Sequence, residues 1–342
     1  MSCYRPLLLA VLALATVGVA GCGEETATQP NPPTDQISTA PELAVTANTW
    51  STRANMPSDR WNIATATFPD PNGGASLYAI GGGNGTGANS APLGKVQVYN
   101  PATNTWTTKA SLPHVVAGFG NNGAQVIGGL VYVPGGLRRF QGYPYLQVYN
   151  PATNLWVDKA QMPAIPPYGL PGLAFGVSGA IDGKLYVLGT CQEGGQFCGE
   201  AFERYDTATD TWTILPLPPV VPMFDRAAGV LNKKFYVTDG KVLEVYDPAT
   251  NTWSKKAPPP SGRSRFTSAS VNNKLYVVGG FYGGAVSGRV DVYDPVTNAW
   301  TKKAPIPRLE AGLSAGRVVV NGQARLEVVG GLRPGNNLQY VP

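Results

Sequence analysis

Histidine occurs once in 342 residues, at His114, which excludes a multi-histidine metal site and leaves a single imidazole around which no Ser/His/Asp set can be placed from the sequence. Cysteine is almost as scarce, with four residues. Charged residues make up only 14%. The formal charge of +5 falls to +4 if residues 1–21 are removed, because that stretch carries Arg5 and no acid. A weak, evenly spread positive charge excludes a nucleic-acid footprint. No apolar run reaches the roughly 20 residues of a membrane-spanning helix. The longest, Leu7 to Val19, is too short, and beyond residue 22 nothing longer than a turn or two has a helical pattern. Glycine (42) and proline (31) are abundant instead. Val, Tyr, Thr and Trp recur between Gly, Pro and Asn clusters, the pattern of many short strands joined by tight turns.

The first 22 residues form an address. A short positive start ending at Arg5 precedes the apolar run, and Val19-Ala20-Gly21-Cys22 supplies a small-residue cleavage region ending in cysteine. This resembles the bacterial lipoprotein signal. The resemblance implies a signal peptide over 1–21, lipidation of Cys22, and residence in the cell envelope as an exported, membrane-attached protein facing the periplasm or the cell surface. Gly23, standing where an inner-membrane retention Asp would be, leans towards the outer membrane. Residues 22–44 are polar and rich in Pro and Thr, with too little to bury to fold, and are expected to serve as a flexible tether. In the body only Cys191 and Cys198 remain. An oxidising compartment favours a local disulfide between them, while a metal site would find there only half of a tetrahedral shell.

One phrase is repeated through residues 45–342. Tyr99, Tyr149, Tyr205, Tyr246 and Tyr293 each precede a Trp by seven residues, at Trp106, Trp156, Trp212, Trp253 and Trp300. Between them lies hairpin chemistry of the form Asn/Asp-Pro-x-Thr. Upstream of each copy a strand ends in glycines, as in Leu275-Tyr276-Val277-Val278-Gly279-Gly280, and downstream a Met-Pro type loop is often followed by Arg. The phrase resembles the kelch repeat, which implies an all-β fold, a six-bladed β-propeller with four-stranded blades. The chain ends at Leu338-Gln339-Tyr340-Val341-Pro342, where the phrase resumes at Thr49-Trp50. Three C-terminal strands and one N-terminal outer strand therefore close the sixth blade.

Loops that vary on a rigid repeated scaffold are where recognition is expected. The long connections hold Arg138, Arg139, Phe281 and Tyr282. Arg60, His114, Tyr168, Arg226, Arg263 and Arg308 stand at corresponding points before successive inner strands, and are expected to ring the channel mouth. Four Arg there would favour an anion, which Arg holds bidentately; bonding to loop carbonyls within the blade is the alternative. The resemblance to kelch-type copper radical oxidases fails for want of histidine. Gly118-Phe119-Gly120-Asn121-Asn122-Gly123 spells a dinucleotide pattern but precedes a strand. Glu193, Glu200 and Glu310 are carboxylates in or near candidate loops, and none has a catalytic setting. The expectation is a monomeric binding or scaffold module for a protein, peptide or glycan, with no catalytic residue, cofactor or metal. The alternative is a periplasmic sugar mutarotase or epimerase resembling the sialic acid mutarotases, which are six-bladed kelch propellers.

Overall fold

The computed structural model describes residues 46–342 apart from 71–72, 85–90, 118–122, 139–140, 166–168, 194–195, 221–224 and 333–335. The regular elements of these residues are all strands. They pair as six antiparallel four-stranded units. From the inner strand outwards, blade 1 is Ala64–Pro69, Ala75–Ile80, Val96–Asn100 and Thr105–Lys109. Blade 2 is Gln125–Ile127, Leu130–Pro134, Leu146–Asn150 and Leu155–Lys159. Blade 3 is Ala174–Ile181, Lys184–Glu193, Gln196–Asp206 and Thr211–Leu215. Blade 4 is Ala227–Leu231, Lys234–Thr238, Leu243–Asp247 and Thr252–Lys256. Blade 5 is Thr267–Val271, Lys274–Val278, Val290–Asp294 and Ala299–Lys303. Blade 6 is Leu313–Val320, Gln323–Gly330, Asn337–Val341 and Thr49–Thr52.

Each inner strand packs against the inner strands of the two neighbouring blades, and the last meets the first. The unit Val45–Pro342 is thus a closed β-propeller. Closure leaves no inner sheet edge to recruit another chain. The split sixth blade is sealed by Trp50 opposite Tyr340 and Thr52 opposite Leu338.

The repeated phrase is explained by two bonds made in all six blades. Each Trp indole donates to a carbonyl of the chain leaving the preceding blade: Trp106 to Ala54, Trp156 to Ala110, Trp212 to Ala160, Trp253 to Pro216, Trp300 to Ala257 and Trp50 to Ala304, at 2.7–2.9 Å. Each Tyr hydroxyl donates to the turn residue two positions before the Trp: Tyr99 to Asn104, Tyr149 to Asn154, Tyr205 to Asp210, Tyr246 to Asn251, Tyr293 to Asn298 and Tyr340 to Asn48, at 2.6–2.8 Å. All six acceptors have φ between 51° and 60°, a left-handed conformation that Asn and Asp tolerate best among residues with a side chain. The same oxygens of Asn104, Asn154, Asp210, Asn298 and Asn48 also accept a backbone N–H of the adjacent blade. The Tyr and Trp rings of a blade pack 5.0–5.3 Å apart, filling the wedge between sheets.

Glycine pairs end the second strands for a steric reason. At Gly280 (φ 92°) an added Cβ would stand 2.5 Å from the Ser264 carbonyl oxygen, so only glycine lets the inner-strand approach pass beneath the loop. The first-to-second and third-to-fourth strand turns share one end of the ring. The longer second-to-third and blade-to-blade connections share the other, called here the loop face.

Candidate functional site

Three of the arginines expected to ring the channel mouth, Arg60, Arg226 and Arg263, are buried instead. Arg60 and Arg263 are drawn into their own blades, 2% and 4% exposed. Arg60 Nη1 donates to the carbonyls of Gly81 and Lys95 at 2.7 and 2.9 Å, and Nη2 to Gln97 Oε1 at 2.7 Å. Arg263 repeats this with the carbonyls of Gly279 and Arg289 and with Asp291 Oδ2 at 2.8 Å. Each guanidinium satisfies a loop's backbone acceptors and one polar side chain two residues before the blade's Tyr. Arg226, also buried, is paired with Glu200. Burial pulls all three down to about 10, still charged at neutral pH. Arg308 is exposed on the chain entering blade 6. Tyr168, Arg139 and Cys22 lie outside the described residues. The rim of four cations is thereby corrected: buried backbone carbonyls take Arg60 and Arg263, and Glu200 takes Arg226.

His114 is turned to the outer part of blade 2. Its Nε2 lies 2.8 Å from Asp158 Oδ2, and its ring stacks on Tyr145 at 3.9 Å. Tyr143 packs beside both, and Arg138 donates to the Tyr143 hydroxyl at 3.0 Å. Glu193 is exposed, and Glu310 is buried, accepting from the backbone N–H of Ala311 and Leu332 and from Asn336 Nδ2. Glu310 is therefore a structural acceptor. Cys191 is buried and disulfide-bonded; the side chain of Cys198 lies outside the described residues. Among the described residues no cluster of three or more His, Cys, Asp or Glu could hold a metal.

The loop face gathers a different constellation, between blades 4 and 5. A cleft of about 570 Å³ is lined by Lys241 of blade 4 and by Gly262, Ser264, Arg265, Phe281 and the Gly283-Gly284 turn of blade 5. Phe281–Tyr282 and Ala285–Val286 form a short hairpin. Its two glycines have φ of 59° and 83°, the tight turn a two-residue hairpin prefers. Tyr282 is 49% exposed at its tip. Arg265 lies over the Phe281 ring, with Cζ 5.8 Å from the centroid. Its backbone is left-handed, φ 50°, where the equivalent positions of blades 1 and 6 hold Asn62 and Gly312. Neither Lys241 nor Arg265 has an anionic side-chain partner among the described residues, and no carboxylate lines the cleft.

Phe281 and Tyr282 were legible in the sequence as loop-tip aromatics; Lys241 and Arg265 were not singled out. Their signal is positional. Arg265 is the residue two before the inner strand, the last to face the loops before the chain descends into the ring.

Comparison with known proteins agrees with this architecture. The kelch motif model matches residues 76–113 and 262–307. Among solved structures, one titled "Structure of YjhT" superposes with a TM-score of 0.60 at 18% identity, covering 85% of this chain and 95% of that one. At that identity the likeness is one of fold.

Proposed function

We propose that this kelch-repeat β-propeller is a non-catalytic binding module, tethered to a bacterial envelope membrane through Cys22, that takes a protein, peptide or glycan on its loop face. One observation carries the reading: the blade 4–blade 5 cleft brings two cations without an anionic side-chain partner among the described residues, and an aromatic hairpin, to the rim of a concave surface. Its volume falls within the usual 300–1,000 Å³ of ligand sites, and its left-handed Arg265 is the kind of backbone outlier that concentrates at such sites. The tether, the outer membrane and a Cys191–Cys198 disulfide belong to the same proposal, supported by the leader and by the disulfide state of Cys191.

The test is a comparison of the parent with Lys241→Ala/Arg265→Ala/Tyr282→Ala on arrays of peptides and glycans. Retention by the parent at least tenfold above the variant supports the loop-face site. Equal retention across both arrays refutes it. Nuclear magnetic resonance of freshly dissolved sialic acid anomers checks the mutarotase alternative, and equilibration faster than background would replace the binding reading.

A further inference from the structure

The six inner strands bring equivalent positions to the tight-turn end of the channel: Thr67, Val126, Ala180, Val230 and Ser270, partly exposed, and Arg317, exposed. They are equivalent by register. Each sits opposite the second-strand residue just before the Tyr (Glu327 in blade 6): Leu77, Val131, Leu185, Phe235, Leu275 and Leu326 respectively. Five members of the ring are small or neutral, and the sixth is a guanidinium.

The surroundings give Arg317 no structural task. No carboxylate lines this channel. Arg317 makes no hydrogen bond or ion pair with the described residues, unlike Arg60, Arg226 and Arg263, whose partners account for their burial. Its neighbours leave room. Glycines at 179, 229 and 316 let adjacent inner strands pack closely, and the lumen measures about 210 Å³, roughly seven times the share of liquid volume that one water occupies. Thr67 approaches the strand beside it, its Oγ1 only 3.1 Å from where a Cβ on Gly316 would stand. Arg317 is exposed, and a single cation lining a concave lumen directs its field into it. The planar guanidinium fork matches the spacing of two oxygens of one anion.

We propose that Arg317 makes the central channel a site for one small oxyanion, a phosphate, sulfate or carboxylate. The site is separate from the loop-face cleft and does not depend on it.

The test uses the purified full chain titrated with inorganic phosphate, sulfate and acetate in separate arms, with chloride holding ionic strength constant, by calorimetry. The parent binds at least one of them saturably with a stoichiometry of about one. Arg317→Gln raises Kd at least tenfold. Arg317→Ser, which copies the blade 5 residue Ser270, does the same and guards against a fold defect peculiar to glutamine. Lys302→Gln, an exposed cation on the outer strand of blade 5, leaves Kd unchanged. The arm that binds identifies the geometry, tetrahedral or planar. No saturable binding by the parent in any arm, or equal binding by the Arg317 variants, overturns the proposal.

Discussion

Glu203 is buried without a partner among the described residues, and replacing it by Gln should stabilise the propeller in a pH-dependent way. The residue lies in the third strand of blade 3, between Val187 and Ile214 on the flanking strands, fully buried. Other blades place Gln97, Gln147, Glu244 and Asp291 at this position, two residues before the Tyr. Gln97 accepts from Arg60 and Ser58, Gln147 exchanges bonds with the backbone of His114, Glu244 accepts from the Val220 N–H, and Asp291 accepts from Arg263 and Arg289. Neither oxygen of Glu203 has a hydrogen-bond partner among the described residues. Burial pushes its carboxyl up from 4.5 to about 8. Below pH 4.5 the group is protonated in both folded and unfolded chains, so it contributes no pH dependence. Between 4.5 and 8 the unfolded chain ionises while the folded one keeps its proton, so stability falls as pH rises. Each pH unit in that window costs about 1.4 kcal/mol, which accumulates to on the order of 3 kcal/mol at pH 7. For a domain of roughly 300 residues that is about 5 °C in Tm. Urea denaturation of parent and Glu203→Gln at pH 5, 6, 7 and 8 reads the difference directly. The two should lie within about 1 kcal/mol at pH 5, because an amide and a neutral carboxyl are equally unpaired there, and diverge in favour of the variant by pH 8. Glu327, which burial also raises to about 8, is present in both and cancels. Parallel pH profiles would refute the reasoning.

Arg263→Met should cost about 3–5 kcal/mol by equilibrium unfolding, because it leaves the buried Asp291 carboxylate with Arg289 alone. The double variant Arg263→Met/Asp291→Asn should recover part of that loss, and no recovery would show that the guanidinium's bonds to loop carbonyls dominate. Asn48→Ala removes the acceptor for the Tyr340 hydroxyl and the Ala304 N–H and puts alanine at φ 60°, at a cost of about 2–3 kcal/mol. Because Asn48 immediately precedes the strand that closes blade 6, limited proteolysis should also cut this variant first near its N-terminal strand, and an unchanged cleavage pattern would count against the seam as the weak point.

The repeat was legible because each residue of its phrase is held by a bond that recurs. Tyr needs an acceptor, the acceptor needs a left-handed turn, and Trp needs a carbonyl of the adjacent blade, so the spacing of seven could not drift. The closing blade was legible for the same reason, since Trp50 and Tyr340 are halves of one phrase. The fate of the arginines was not legible. Whether a guanidinium after a Pro-rich loop faces the channel or turns into the blade depends on a residue about 30 positions later, Gln97 for Arg60 and Asp291 for Arg263, that lies beneath it only after the third strand has folded back. The loop-face cleft was hidden differently. Lys241 and Arg265 come from different blades, and nothing in either local pattern says that adjacent blades bring them to one concavity.

Charge on this ring therefore divides by employment. Arg60, Arg226 and Arg263 are consumed by the scaffold, and losing them would be read as instability whatever the protein binds. Exposed lysines on the outer strands, such as Lys255 and Lys302, face open solvent, where a charge needs no counterpart and serves solubility. Lys241, Arg265 and Arg317 fit neither class. They are exposed, yet they line concave places without carboxylate neighbours, where their fields converge on an incoming anion. Since the scaffold does not require them, their substitution should separate binding from folding, which a substitution of the buried arginines cannot do.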